Sequence, residues 1–377
     1  MLMNSQVTKK NRRVASVARI ALLLSFATAA ASLAFAADAR KSWTAVADRL
    51  IETRPESYPF DWGEGVQMIG LMKAFERTQT AAYADFVASW AAFHAKKSSE
   101  ELLGLSGRRP GYCGHWSPGT ALLMLYQAHQ NPEHLRMARM ILDFIWAGAE
   151  RSPEGGLGHW QGSHQLWVDT LYMACPLLAG FGKLDHQPDY IDDAARQLIV
   201  HAHPLQDPAT GLFYHMWDWK TREHSTGLWG RGNGWVLMSL ADTMEAMDRK
   251  NPRYGELGKI ASDLSNGLLK AQDQDGMWHT IMDDPSAYPE SSATSMAVYG
   301  LLKLVRLGAL PESFREPAVR AWAAVNEEYV KDGMVTGVSA GTSPQARSDY
   351  GKIKVGSETW GTGAYLSAAS EVDRQKR

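Results

Sequence analysis

Residues 166–178 read Leu166-Trp167-Val168-Asp169-Thr170-Leu171-Tyr172-Met173-Ala174-Cys175-Pro176-Leu177-Leu178, with large apolar side chains at helical spacing and a single charge. A helix that is apolar all round packs against protein on all sides. Five further stretches share this character, at 65–74, 120–128, 234–247, 292–305 and 363–372, and are rich in Gly, Ala, Ser and Met. Between them lie six amphipathic stretches with a charged, wet face, at 42–53, 81–94, 134–147, 191–201, 254–271 and 316–330. The two sets alternate at roughly 50–60 residues per pair, the period of stacked helical hairpins. An all-α fold is therefore expected: six hairpins closed into an (α/α)6 toroid, the apolar set inside and the charged set outside. An open solenoid is the alternative, and it would expose the apolar inner row unless another chain covered it.

Composition narrows the function. The 377 residues are 45% hydrophobic and 21% charged, with a formal net charge of −2. Residues 1–36 hold five basic residues and no acidic one, which leaves 34 basic against 41 acidic residues, a charge of −7, for the remainder. An acidic chain lacks the positive field that nucleic acids require. The amino terminus is basic from Lys9 to Arg19, uncharged from Ile20 to Ala36, and has small residues at Ala34 and Ala36. This is the pattern of a secretory signal peptide over 1–36, cleaved after Ala36, with an uncleaved anchor as the alternative. The protein is expected to be periplasmic or secreted and not inserted in the membrane after cleavage. No linker or low-complexity tract interrupts the rest, so 37–377 reads as one domain. Cys113 and Cys175 are too few for a disulfide framework, and whether they pair is left open. No Cys/His spacing suits a metal, His215 and His224 included, so neither metal nor cofactor is expected.

Of 14 tryptophans, only Trp43, Trp90, Trp146 and Trp322 fall on the outer set; Trp62, Trp116, Trp160, Trp167, Trp217, Trp219, Trp229, Trp235, Trp278 and Trp360 lie at or just before inner stretches. If the inner helices all start at one end, these rings gather at one mouth. A single indole there is more often packing, but so many suit the C–H faces of sugars. Polar residues on the same segments include His115, His159, Gln165, Asp169, His215, Arg231 and Glu358. Helix-start His and Asp residues are commonly caps. Asp169 fits that role poorly because it sits inside an apolar run, where burial is expected to raise its pKa toward the range useful for proton transfer. Arg231, between Gly230 and Gly232, offers a two-point fork for a carboxylate; its structural alternative is a salt bridge to an acid such as Asp218.

Three motifs then resemble a known family: Gln165-Leu166-Trp167-Val168-Asp169-Thr170-Leu171-Tyr172-Met173, Tyr214-His215-Met216-Trp217-Asp218 and Trp229-Gly230-Arg231-Gly232-Asn233-Gly234-Trp235 stand in the order found in the unsaturated rhamnogalacturonyl hydrolases, glycoside hydrolase family 105. The likeness continues through 272–278 and 290–296. It implies an (α/α)6 barrel acting on oligosaccharides that end in a 4,5-unsaturated uronic acid. By that resemblance Asp169 is the general acid/base, His215 the histidine of the second motif, and Trp229, Arg231 and Trp235 line the sugar subsite, joined from the aromatic and polar rim by Trp62, His159, Trp160, Gln165, Trp217 and Glu358. The implied reaction is vinyl-ether hydration, in which one carboxylate serves as acid and then base.

The family generally places a second Asp just before the Pro-Gly that starts the second inner helix, and here His115 stands near that place in Gly114-His115-Trp116-Ser117-Pro118-Gly119. His115 is accordingly expected to be a second catalytic residue and to alter substrate choice. Another (α/α)6 carbohydrate enzyme (uronidase, lyase or epimerase) and a non-catalytic sugar-binding protein are the competing readings.

Overall fold

A computed structural model describes residues 43–375. The expected signal peptide, 1–36, lies outside the described residues. Six inner helices run over Trp62–Thr78 (α2), Ser117–His129 (α4), Val168–Leu184 (α6), Gly230–Ala246 (α8), Ser291–Arg306 (α10) and Thr359–Arg374 (α12). Outer helices occupy 43–53 (α1), Ala81–His94 (α3), Pro132–Asp143 (α5), Pro188–Leu205 (α7), Tyr254–Ala271 (α9) and Arg315–Ala324 (α11). One-turn π-helices at Phe144–Gly148 and Val325–Tyr329 continue α5 and α11.

Local chemistry sets the boundaries. The Asp61 side chain accepts from Trp62 N at 2.8 Å and starts α2, which stops at left-handed Gln79. Asn131 caps α5, with Pro132 in its first turn. One expectation is corrected: residues 165–167 are strand, and α6 begins only at Val168. Gln165–Trp167 (β1) pairs antiparallel with Met216–Asp218 (β2), which pairs with Glu223–His224 (β3). Ladder bonds to a segment far along the chain override the helical pattern there. Two small ribbons, Val330–Lys331 with Met334–Val335 and Val338–Ser339 with Val355–Gly356, lie in the long connection between α11 and α12.

Each inner helix packs on the next, and α12 packs on α2, so the ring is closed and the open solenoid is excluded. Glycines make the closing seam. A Cβ on Gly70 would stand 2.5 Å from Gly363 O, and one on Gly363 would stand 2.3 Å from Val66 O. The backbones of α2 and α12 therefore touch where a side chain on either glycine would force them apart.

The inner helices are parallel, so all their starts meet at one end and all their ends at the other. The far end holds a cavity of about 270 Å3 walled by last-turn residues such as Lys303, Arg306 and Arg374, and by Lys73. There Lys303 bridges Asp242 and Glu245, each at 2.6 Å, and Arg306 joins Glu245 at 2.8 Å and Glu371 at 2.6 Å. This ion-pair network ties α8, α10 and α12 together opposite the helix starts. Cys113 and Cys175 are both buried and unpaired.

Candidate active site

The helix starts enclose a smaller cavity of about 170 Å3, walled by Trp62, Arg109, Tyr112, Cys113, His159, Trp167, Asp169, Met173, Arg231 and the loop Gly341–Ser343. It is the candidate site, because it lies at the helix starts and a carboxylate, stacked aromatic rings and two guanidinium groups converge on it.

Asp169 stands in the first turn of α6. Its Oδ2 lies 3.1 Å from His215 Nε2, while the side chain keeps 18% of its surface open. His215 directly precedes β2, and its carbonyl accepts from Val168 N at 3.1 Å, so the β1–β2 pairing delivers the imidazole to the start of α6. The other ring nitrogen, Nδ1, lies 2.9 Å from the Tyr350 hydroxyl. With Tyr350 donating to Nδ1, the Nε2 proton is left for the carboxylate, and these partners assign the tautomer. His215 is wholly buried between Trp167 and Trp229, with ring centroids at 5.2 and 4.1 Å.

Burial lowers the pKa of His215, so the imidazole is neutral. For Asp169, burial pushes upward, but the adjoining His215, hydrogen-bonded to the carboxyl, and the Arg231 charge outweigh it and hold the carboxyl below its ordinary value. The expected raised pKa is therefore corrected: in the unliganded protein Asp169 is an anion, because its buried oxygen is hydrogen-bonded.

His159 stacks on Trp167 with centroids 3.9 Å apart, and its Nδ1 lies 2.8 Å from Thr170 Oγ1 and 3.2 Å from Cys113 Sγ. Burial lowers its pKa to about 3 and pushes the Cys113 thiol well up, so both groups are neutral. Trp62 lines the cavity and stacks on Trp360 with centroids 4.2 Å apart.

Arg231 reaches the cavity wall from the start of α8 but is otherwise spent. Nη1 donates to Ser339 O at 2.9 Å and to Ser339 Oγ, and Nη2 donates to Ala340 O at 3.1 Å and Thr342 Oγ1 at 3.0 Å. Trp229 and Trp360 lie against its guanidinium carbon at 4.5 and 5.4 Å. The alternative, a salt bridge to Asp218, does not form either; Glu290, at 4.0 Å, is the carboxylate nearby. Arg231 thus holds the 339–342 loop over the cavity, and both arms of the fork expected for a substrate carboxylate are occupied.

Several expected site residues stand away from the cavity. His115 is displaced from it: its Nδ1 lies 3.2 Å from Phe60 O and its ring packs over Gly104. Residues 113–115 form a 3-10 turn, in which positions two apart diverge by roughly 240°. Cys113 therefore faces the cavity where His115 was expected. Trp235 is fully buried, stacked on Tyr172 at 5.2 Å, and Trp229 is sandwiched between His215 and Arg231; both fill space between helices instead of lining the subsite. Trp217 alternates to the far face of β2 beneath Arg222, and Gln165 braces Trp167 Nε1 at 2.8 Å. Glu358 precedes α12 outside the cavity wall, and Trp160 stands behind the rim, edge-on to Trp167. The sequence reading did not single out Arg109, Tyr112, Cys113, Thr342 or Ser343 as site residues. All five sit in connections with no helical period, and only the proximity of 109–113 to the second inner helix hinted at them. Among the described residues no group of three or more His, Cys, Asp or Glu is placed to hold a metal ion.

A closed toroid with a carboxylate and stacked aromatic rings at the mouth of its inner helices is the architecture of an (α/α)6 glycoside hydrolase. The chain belongs to Glycosyl Hydrolase Family 88, whose model matches residues 36–376. It is 30% identical over 348 residues to the unsaturated rhamnogalacturonyl hydrolase YesR of Bacillus subtilis (strain 168), covering 89% of this chain and 96% of that one. It is 28% identical over 347 residues to the unsaturated 3S-rhamnoglycuronyl hydrolase of Formosa agariphila, covering 83% and 84%. The solved family 105 glycoside hydrolase of C. acetobutylicum ATCC 824 superposes with a TM-score of 0.80 at 27% identity, over 89% of this chain and 99% of that one. The family resemblance and toroid read from the sequence are borne out.

Proposed function

We propose that this glycoside hydrolase removes a terminal 4,5-unsaturated uronic acid from lyase-generated oligosaccharides by hydrating its vinyl ether, with Asp169 as acid and then base. The observation that carries this reading is that Asp169 is the one carboxylate among the described residues of the cavity wall. Direct displacement at the anomeric carbon uses a pair of carboxylates, whereas hydration needs one group that gives and then takes a proton. The names of the relatives above agree with that chemistry.

In the free protein Asp169 is ionised and oriented by His215. Entry of an anionic sugar and exclusion of water both favour the neutral acid, so substrate binding itself loads the proton. Asp169 then protonates C4, positive charge develops at C5, and the recovered carboxylate takes a proton from the water that adds there. The resulting hemiketal opens and releases the aglycone. A signal peptide over 1–36 would place this reaction in the periplasm or outside the cell.

The test is to mix the protein with lyase-treated polysaccharide in D2O. Loss of the ultraviolet band of the conjugated enol ether, with deuterium at C4 of the product, is the expected result. Appearance of that band from intact polymer would assign a lyase instead, and binding with no change in the band a sugar-binding protein.

A further inference from the structure

Two cations stand on the cavity wall, and they differ in what they have left to offer. Arg231 has four of its five N–H groups donated to Ser339, Ala340 and Thr342, and the fifth, on Nε, is buried. No two adjacent donors remain for a carboxylate. Arg109 is the opposite case. It lies in the turn region between Gly104 and Cys113, is exposed, lines the same cavity, and makes no hydrogen bond or ion pair among the described residues. Its guanidinium carbon lies 4.8 Å from the centroid of Trp160, which is itself braced edge-on by Trp167. Stacking on an aromatic face orients a guanidinium plane while leaving its N–H edge free. The charge is felt within the cavity, opposing protonation of His159 and easing ionisation of Tyr112.

We propose that Arg109, held by Trp160, is the anion-recognising group of this cavity and makes the two-point contact with a carboxylate or sulfate on the bound sugar, while Arg231 only positions the 339–342 loop. This rests on the proposed uronyl specificity for its ligand but concerns a residue outside the family motifs quoted above. The anion has two possible sources, the C6 carboxylate of the terminal uronate or an acidic group on the next sugar. A cation on an irregular connection at the rim, and not on an inner helix, makes anion recognition adjustable without disturbing Asp169 and His215.

The experiment measures binding calorimetrically in an Asp169→Asn background, so that turnover does not intervene. The probes are an unsaturated uronyl disaccharide with a neutral aglycone, its C6 methyl ester, and the same pair carrying a uronate aglycone. Arg109→Gln is expected to weaken the acid at least tenfold, leave the methyl ester within about twofold, and so erase the acid-over-ester preference. Arg109→Lys should recover only part of it. If instead the acid-over-ester preference survives and only the preference for the acidic aglycone is lost, Arg109 reads the neighbouring sugar. Should Arg109→Gln leave both preferences within twofold, or weaken acid and ester equally, the proposal is overturned. Failure of the uronyl reading looks different: no probe binds the Asp169→Asn protein, and wild type does not bleach the enol-ether band.

Discussion

His215 gives its Nε2 to Asp169 Oδ2 at 3.1 Å although the imidazole itself is wholly buried. The pair spans 46 residues of sequence, and Tyr350 extends it by a hydrogen bond of 2.9 Å from a further 135 residues away. A neutral imidazole fixed on its far side by a phenol can present only a donor to the carboxylate. Asp169 is thereby oriented toward the cavity and kept ionised.

Asp169→Asn should lower kcat by a factor of about 10^2–10^4, the usual worth of a positioned acid/base, while leaving the melting temperature and oligosaccharide binding near wild type. The rate of loss of the enol-ether absorbance is the measurement. A variant within roughly tenfold of wild type would remove Asp169 from the mechanism.

Tyr350→Phe tests the support behind His215. The hydroxyl donates to Nδ1 and so favours the neutral ring; without it Nδ1 is free to take a proton, and the pKa of His215 should rise from its depressed value. The acidic limb of the kcat/KM profile is expected to move to higher pH, with kcat down roughly tenfold at most. Packing around Trp229 and Trp167 should hold the ring in place, so the melting temperature serves as the control. An unmoved limb would limit Tyr350 to a packing role.

Glu64, in the first turn of α2, has its pKa raised to about 6, chiefly by burial and secondarily by Asp61. Its folded-state value exceeds its unfolded one, so the fold disfavours the ionised form. The contribution to stability is fully present below the unfolded value near 4.5 and is lost as pH rises through 6. Glu64→Gln removes the titration, and should be more stable than wild type by about 1 kcal/mol above pH 7, allowing for the partly open side chain. Melting temperatures from pH 4.5 to 7.5 should show the gap opening with pH. A constant gap would reject burial as its cause.

The toroid seam is tested by a pair of glycines. Gly70→Ala drives a Cβ to 2.5 Å from the Gly363 carbonyl and should cost about 1–3 kcal/mol, since two backbones must separate. Gly258→Ala, on α9 with no atom within 4 Å of its added Cβ, should be neutral or stabilise by up to about 1 kcal/mol. Chemical denaturation reads both. Equal effects would mean that the α2–α12 approach does not limit stability.

Much of this protein is determined along the chain. The spacing of apolar residues is set by neighbours a few positions apart, so twelve helices, their alternation and their sorting into inner and outer sets were legible from residues such as 168–178, 254–271 and 291–306 alone. The same local logic singled out Asp169, because a carboxylate inside an apolar run has few ways to be accommodated. It also found His215 and Trp62, which lie on segments tied to helix starts.

What only the tertiary structure decided is which way side chains face and what they meet. His115 and Cys113 are two residues apart, and a 3-10 turn gives the cavity to the cysteine. Arg231 looked free beside its glycines, yet it is bound by Ser339, 108 positions further on. Asp169 was expected to be raised by burial, and a histidine from the segment just before β2 reverses the sign. Arg109 carries no periodic signal because it lies in an irregular connection. Helical period depends on residues a turn apart and survives in the sequence, whereas hydrogen-bond partners and pKa values depend on segments that meet only when the ring closes.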